Sequence, residues 1–224
     1  MRYAIIAGGE GSRLLKEGVN VPKPLVRIGG ERLIDRLVRV FEDNGAEAIV
    51  VAYRDSMFSV AEHLSYLQGR ADGNNGAPVL AIGVETPSSM HSLNCIIGRL
   101  DAGPFCLTTV DTVFGEDAFK RYISAFTACL DGGEADGMMA VTSYIDDEKP
   151  LYVAVDDGMN ITAFLDEDKG CRYVSAGIYG LTPRCADVLR RCIGRGESRM
   201  RNFQRALLAE GMRLKAFDIG RAFD

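Results

Sequence analysis

The sequence lacks what a membrane-spanning or exported chain needs. No apolar stretch approaches the roughly eighteen residues of a transmembrane helix. Met1-Arg2 leads straight into an apolar strand pattern, without the charged region, long apolar segment and cleavage site of a signal peptide. A soluble, cytoplasmic protein is expected. A basic excess is missing too: 26 Lys and Arg against 31 Asp and Glu leave a net charge of −5. That argues against a protein built to bind nucleic acid backbone, though a nucleotide needs only a local basic pocket. The six cysteines (Cys95, Cys106, Cys129, Cys171, Cys185, Cys192) include no Cys-x-x-Cys pair, and only two histidines accompany them. They read as small core residues in a reducing compartment rather than as a metal or disulfide framework. No linker, composition shift, repeat or low-complexity segment divides the chain, so residues 1–224 are expected to form one domain.

What is present is an ordinary globular composition, 47% apolar and 25% charged, enough for a sizeable core. Tyr3-Ala4-Ile5-Ile6-Ala7 is a short apolar run with β-branched residues, the pattern of a buried strand. After a Gly29-Gly30 turn, Leu33, Ile34, Leu37, Val38, Val40 and Phe41 recur at helical spacing within 31–44, and Asn44-Gly45 supplies the stop. Residues 46–53 form a continuous apolar strand of the kind covered on both faces. The alternation continues with a helix over 56–67, a polar turn through 73–76, a strand over 79–84, a helix over 89–100, a strand over 105–110 and a helix over 117–130. Past Gly137 strands follow one another, at 138–145, 151–156, 161–165 and 172–181, with Asp156-Asp157-Gly158 as a hairpin turn. Helices over 183–193 and 200–210 and a strand over 213–219 close the chain. The pattern predicts an α/β three-layer sandwich: a mixed, mostly parallel sheet with helices on both faces and an inserted antiparallel segment. In such sheets the ligand sits over the carboxyl ends of the strands.

Three glycines in four positions follow the first strand, in Ala7-Gly8-Gly9-Glu10-Gly11-Ser12-Arg13-Leu14. Without a Cβ the backbone comes close to a ligand and aims its N–H groups at phosphate oxygens. Arg13 adds a planar fork of donors that suits phosphate, and Lys23, within Pro22-Lys23-Pro24-Leu25, adds a compact point charge. The loop is neither a P-loop, which needs Gly-Lys followed by Ser or Thr, nor a dinucleotide fingerprint, because Leu14 stands where the third glycine belongs. A nicotinamide-binding protein is disfavoured further, as no ribose-binding acid about twenty residues on is evident.

The combination of Gly-Gly-Glu-Gly-Ser-Arg-Leu with Lys23 ten residues after Arg13 resembles the signature of the sugar-phosphate nucleotidyltransferase family. The resemblance implies the Rossmann-like fold of nucleotide-diphospho-sugar transferases. It also implies a reaction: a nucleoside monophosphate passes from a nucleoside triphosphate to a sugar 1-phosphate or similar phosphomonoester, and pyrophosphate leaves. Arg13 and Lys23 would be the catalytic cations, with Ala7, Gly8, Gly9, Gly11, Ser12, Ser88 and Ser89 around the nucleotide. Magnesium prefers carboxylate oxygens, and Asp111, ending an apolar strand, is similar to the family's metal-binding strand end; its competing reading is a cap on the following segment. The second metal carboxylate is Asp218 or Asp224 in Phe217-Asp218-Ile219-Gly220-Arg221-Ala222-Phe223-Asp224, with Asp218 the better match because it directly follows a strand.

Ser175-Ala176-Gly177-Ile178-Tyr179 resembles the family's sugar-contacting segment, so Ser175 and Gly177 are candidate substrate contacts. Where relatives carry Glu-Lys-Pro, with the lysine on the sugar phosphate, this chain has Glu167-Asp168-Lys169-Gly170, so Glu167 and a displaced Lys169 are the candidates. The serine-rich Thr86-to-Leu93 stretch replaces a Gly-rich base-reading segment; His91 within it reads as an ordinary residue and Glu10 as solvated. The partners implied are a nucleoside triphosphate and a phosphomonoester, with Mg2+ as cofactor and no nucleic acid or membrane; association of like chains is left open. These departures motivate the alternative of a non-catalytic regulatory relative that binds nucleotide or sugar phosphate without turnover.

Overall fold

Alternate residues of the first strand enter two different cores. The computed structural model describes residues 1–9, 18, 20–73, 76–145 and 149–223. In β1 (Arg2–Ala7), Tyr3, Ile5 and Ala7 lie in one apolar cluster and Ala4 and Ile6 in the other. β4 (Ala48–Arg54) divides likewise, with Ile49 and Val51 opposite Val50 and Ala52. A strand with apolar side chains on both faces needs cover on both. One face receives α1 (Leu33–Asp43), α2 (Phe58–Gly73) and α4 (Glu116–Asp131); the other receives α3 (Ser89–Ile96), α5 (Cys185–Gly194) and α6 (Met200–Ala209). The three layers expected from the sequence are present.

The central sheet has nine strands among the described residues. β1 pairs in parallel with β4 and with β6 (Phe105–Thr109), and β4 with β5 (Val79–Val84). β11 (Tyr173–Leu181) runs antiparallel to β6, and β8 (Gly137–Thr142) antiparallel to β11, so β8 regains the first direction and β12 (Leu214–Asp218) pairs with it in parallel. The carboxyl ends of β1, β4, β5, β6, β8 and β12 therefore share one rim. The hairpin of β9 (Tyr152–Val155) and β10 (Ile161–Leu165) joins at the amino end of β11, through Tyr173 opposite Val153.

Several boundaries differ from the sequence reading, each for a local reason. The helix expected over 31–44 begins at Leu33, because β2 (Arg27–Ile28) and β3 (Glu31–Arg32) form a small hairpin across Gly29 and Gly30, whose φ of 60° and 89° are the left-handed values of a tight two-residue turn. The helix expected over 89–100 ends at Ile96 and tightens into a 3-10 turn over Ile97–Arg99, whereas that expected over 56–67 continues to Gly73. The strand expected over 138–145 stops at Thr142, whose hydroxyl accepts the N–H of Tyr144 at 2.9 Å and replaces a ladder partner. Of the expected turn through 73–76, residues 74–75 lie outside the described set. A further ladder was not legible: β7 (Val113–Phe114) pairs with β13 (Ala222–Phe223).

Asp136 clips the rim away from the crevice. Its carboxylate, 11% exposed, accepts from Arg184 at 2.6 Å and from the Arg213 main-chain N–H at 2.9 Å. Burial raises its pKa, but the Arg213 main-chain and side-chain donors and the Arg184 charge outweigh burial and hold it below the ordinary value. The stability it contributes is present above the unfolded carboxylate range and disappears as pH falls through the depressed folded value. Asp136→Asn should therefore narrow the gap between the urea midpoints at about pH 7 and about pH 3, relative to the parent protein.

Candidate active site

The first strand ends at Ala7, whose side chain is in the core, and passes directly into Gly8 and Gly9. These glycines form one wall of a cavity of about 460 Å3 over the ends of β1, β4 and β5, opposite Arg54, Val84, Thr86, Ser88 and Ser89. Gly11, Ser12 and Arg13, and Glu10 with them, lie outside the described residues. Ser88 is the N-cap of α3: its hydroxyl accepts the His91 N–H at 3.4 Å and meets His91 Nδ1 at 2.9 Å. Thr86 and Ser92 share a hydrogen bond of 2.6 Å. Ser89, by contrast, makes no side-chain bond to a described residue.

Ser88 and Ser89 also border a second cavity of about 500 Å3, which reaches Ser175, Gly177 and Tyr179 on β11 and Gln204 on α6. Between Ser175 and Tyr179 the register of β11 against β8 shifts, and Gly177 takes φ 72°. A glycine in that conformation lets the strand bulge, opening it toward the cavity. Gln204 is buried and donates to the Ser175 hydroxyl at 3.3 Å, holding α6 to the bulge.

A third cavity of about 670 Å3 adjoins the second through Lys149, Arg199 and Arg201, and is bounded by Tyr152, Asp166, Glu167 and Asp168. Asp168 accepts the N–H groups of Gly170 and Cys171 at 2.9 and 3.1 Å, so it shapes a turn where relatives are expected to carry lysine. Lys169 is exposed and lines none of these three cavities. The cations that do line the second cavity, Lys149, Arg199 and Arg201, were not singled out from the sequence. A signal was available for two of them: Arg199 and Arg201 flank the start of α6, whose first turn has no acid.

Lys23 opens a 3-10 turn, Lys23–Leu25, with Pro24 in its first positions. Its Nζ ion-pairs with Asp111 Oδ2, the two side chains being 30% and 18% exposed. Val110 extends the contact between β6 and β1 by donating to Ile6 O at 3.0 Å, which sets Asp111 beside the exit of β1. Asp111 caps no helix, since the cap position of α4 is Gly115. Asp218 ends β12, is exposed, and accepts the Gly220 N–H at 3.0 Å. The β7–β13 ladder ties the segment after Asp111 to the segment after Asp218. Asp224 lies outside the described residues.

Among the described residues no three or more His, Cys, Asp or Glu side chains gather as a metal cage. Asp111, in the turn after β6, and Asp218, the last residue of β12, are carboxylates of the kind magnesium takes, which usually binds through one or two of them together with substrate phosphates.

A mostly parallel sheet with Gly8 and Gly9, the Lys23–Asp111 pair and cavities along its carboxyl rim defines an α/β protein of the class that binds its ligand over the strand ends. Residues 3–210 match the MobA-like NTP transferase domain, and the chain belongs to this family of nucleotidyltransferases. The inositol-1-phosphate CTP transferase from T. maritima superposes with a TM-score of 0.80 at 22% identity, over 100% of this chain and 87% of that one. UDP-glucose pyrophosphorylase from Acinetobacter baumanii superposes with a TM-score of 0.77 at 16% identity, over 100% and 87%. A UDP-glucose pyrophosphorylase complexed with UDP-glucose gives 0.78 at 16%, over 100% and 93%. At these identities the likeness establishes the fold. The sequence matches no curated protein. No helix among the described residues is long and apolar enough to cross a membrane.

Proposed function

We propose that the chain is a magnesium-dependent enzyme that transfers a nucleoside monophosphate from a nucleoside triphosphate to a sugar 1-phosphate or similar phosphomonoester. The observation that carries this reading is the Lys23–Asp111 pair beside the exit of β1; the two cavities that meet at Ser88 and Ser89 open on the same rim, and neither Lys23, Asp111 nor Asp218 is among their described lining. One cavity suits the nucleoside and the other the acceptor. The names of the structural neighbours, an inositol-1-phosphate CTP transferase and UDP-glucose pyrophosphorylases, support a nucleotide and a phosphorylated acceptor as the two ligands.

An acceptor phosphate oxygen attacks the α-phosphorus, the bond from that phosphorus to the bridging oxygen breaks, and pyrophosphate departs with the electron pair. The attacking oxygen is already largely ionised near neutral pH, since the second phosphate pKa is about 6, so no protein base is needed. What the reaction demands is stabilisation of charge on the α-phosphoryl oxygens and the leaving group. Lys23 turns from Asp111 to the incoming α-phosphate, and the role toward the leaving pyrophosphate is assigned to Arg13 from the loop pattern of the sequence alone. Gly8 and Gly9 allow the backbone to approach the phosphates. Asp111 and Asp218 would hold Mg2+, which when bound neutralises phosphate charge. Ser175 and Gly177 line the acceptor side.

Lys23→Ala should lower kcat on the order of a hundred- to a thousandfold, the usual cost of removing one such donor. The check is pyrophosphate release with Mg2+, with urea unfolding showing an unchanged midpoint. The altered Glu167-Asp168-Lys169 segment, with Asp168 held in a turn, favours a second reading, a non-catalytic binder. Tight triphosphate binding with no pyrophosphate released from the triphosphate in the presence of any phosphomonoester would establish that reading instead.

A further inference from the structure

The second cavity carries positive charge for which the transfer itself has no use. Its described lining includes Lys149, Arg199 and Arg201 and no acid. Arg201 is anchored, donating to Asp166 Oδ1 at 2.6 Å and to the Lys149 carbonyl at 3.0 Å. Asp166 is shared with Arg205, 2.8 Å away, so one carboxylate answers two guanidinium groups. No described carboxylate pairs with Arg199, and the turn of α6 that follows it contains no acid. Asp166, Glu167 and Asp168 stand on the third-cavity side of the same cations, so it is on the second-cavity side, whose described lining has no acid, that an anionic group of a ligand meets Arg199 without a competing carboxylate.

The placement of these cations decides which anion they meet. Ser88 and Ser89 border both the nucleotide-side and the acceptor-side cavities; Lys149, Arg199 and Arg201 border the acceptor-side and third cavities and no part of the first. The reacting phosphate has to lie toward the triphosphate, because its oxygen attacks the α-phosphorus. The cations line the part of the second cavity that it shares with the third, and none of them lines the first. We propose that the acceptor is a phosphomonoester with a second anionic group, a carboxylate or another phosphate, at the end remote from the reacting phosphate, and that Arg199 selects for it. This rests on the phosphomonoester acceptor proposed above. It disfavours an ammonium-bearing acceptor, for which an acid in the cavity would be needed, and a neutral sugar body, which offers Arg199 no counter-charge.

The test uses the full chain with Mg2+ and whichever triphosphate supports turnover. Pyrophosphate release is compared for glucose 1-phosphate, glucuronate 1-phosphate and glucose 1,6-bisphosphate, and for the smaller pair glycerol 3-phosphate and 3-phosphoglycerate. The members with the extra anion should be favoured about tenfold or more in kcat/KM, mainly through KM, as expected for a charge-assisted contact. Arg199→Ala should bring the ratio close to one, Arg199→Lys should retain part of it, and Arg190→Ala, a surface cation paired with Asp187, should leave it intact. A carboxylate acceptor favoured over the bisphosphate, or the reverse, identifies the anion within the proposal. Equal or better use of the neutral-bodied members, or a preference that survives Arg199→Ala, overturns the proposal while the transferase reading stands. Silence of the parent protein with every acceptor overturns the transferase reading and this proposal with it.

Discussion

Asp111→Asn is expected to reduce turnover by at least about a thousandfold, at the upper end for a single group acting on developing charge, with almost no change in stability. Asparagine keeps the shape of the side chain and an oxygen for Lys23, and removes only the negative charge. Structurally little depends on that charge, because the ion pair is partly exposed and pairs of that kind contribute at most about 1 kcal/mol. Chemically much depends on it: of the two acids assigned to the metal, Asp111 is the one that directly touches a cation assigned to the phosphates. The check is kcat from pyrophosphate release beside the urea midpoint of the same preparation. Turnover within tenfold of the parent, with the fold intact, would remove Asp111 from the site.

The second large effect is on the fold. Phe119→Ala should cost about 3–5 kcal/mol, the range for truncating a buried phenylalanine, against a total stability of about 5–15 kcal/mol for a typical domain. Phe119 is 0% exposed and sits among four rings: Phe114 at 4.8 Å, Phe41 at 5.6 Å, Tyr122 at 6.0 Å and Tyr3 at 6.3 Å. Those partners come from β1, α1, α4 and β7, so no single element can move inward to fill the space. Phe114 links this packing to the chemistry, because β7 follows Asp111 and pairs with β13, which follows Asp218. Denaturant unfolding measures the loss directly. A midpoint close to that of the parent would mean that the aromatic cluster is not packed as described.

The parts of the fold legible in the sequence were those whose pattern is local. β1, β4 and β6 read correctly because strands covered on both faces carry continuous apolar runs, and α1 and α4 because their apolar stripes recur at helical spacing. β7 and β13 were illegible, since each has two residues and gains its identity from a partner far along the chain. The reversed position of β11, between β6 and β8, is likewise a property of the sheet and not of any segment.

The candidate site divides in the same way. Gly8, Gly9, Lys23 and Asp111 belong to short motifs, and the fold brings Lys23 and Asp111 into contact. Ser88 was legible as a hydroxyl but not as the N-cap of α3. Lys149, Arg199 and Arg201 carry no motif; they become neighbours only when α6 packs beside the hairpin of β9 and β10. Lys169, picked out by its offset from a family lysine, is exposed and outside the three cavities, because the preceding Asp168 draws the chain into a turn.

The most direct measurement follows the α-phosphorus. The protein is incubated with Mg2+ and a panel of triphosphates labelled at the α-position, together with a mixture of phosphomonoesters. The label should appear in a new diphosphate-linked product, in amounts matching unlabelled pyrophosphate, and both should vanish with Asp111→Asn. Label recovered only in the unreacted triphosphate, or released as free monophosphate whether or not an acceptor is present, would contradict the proposed transfer.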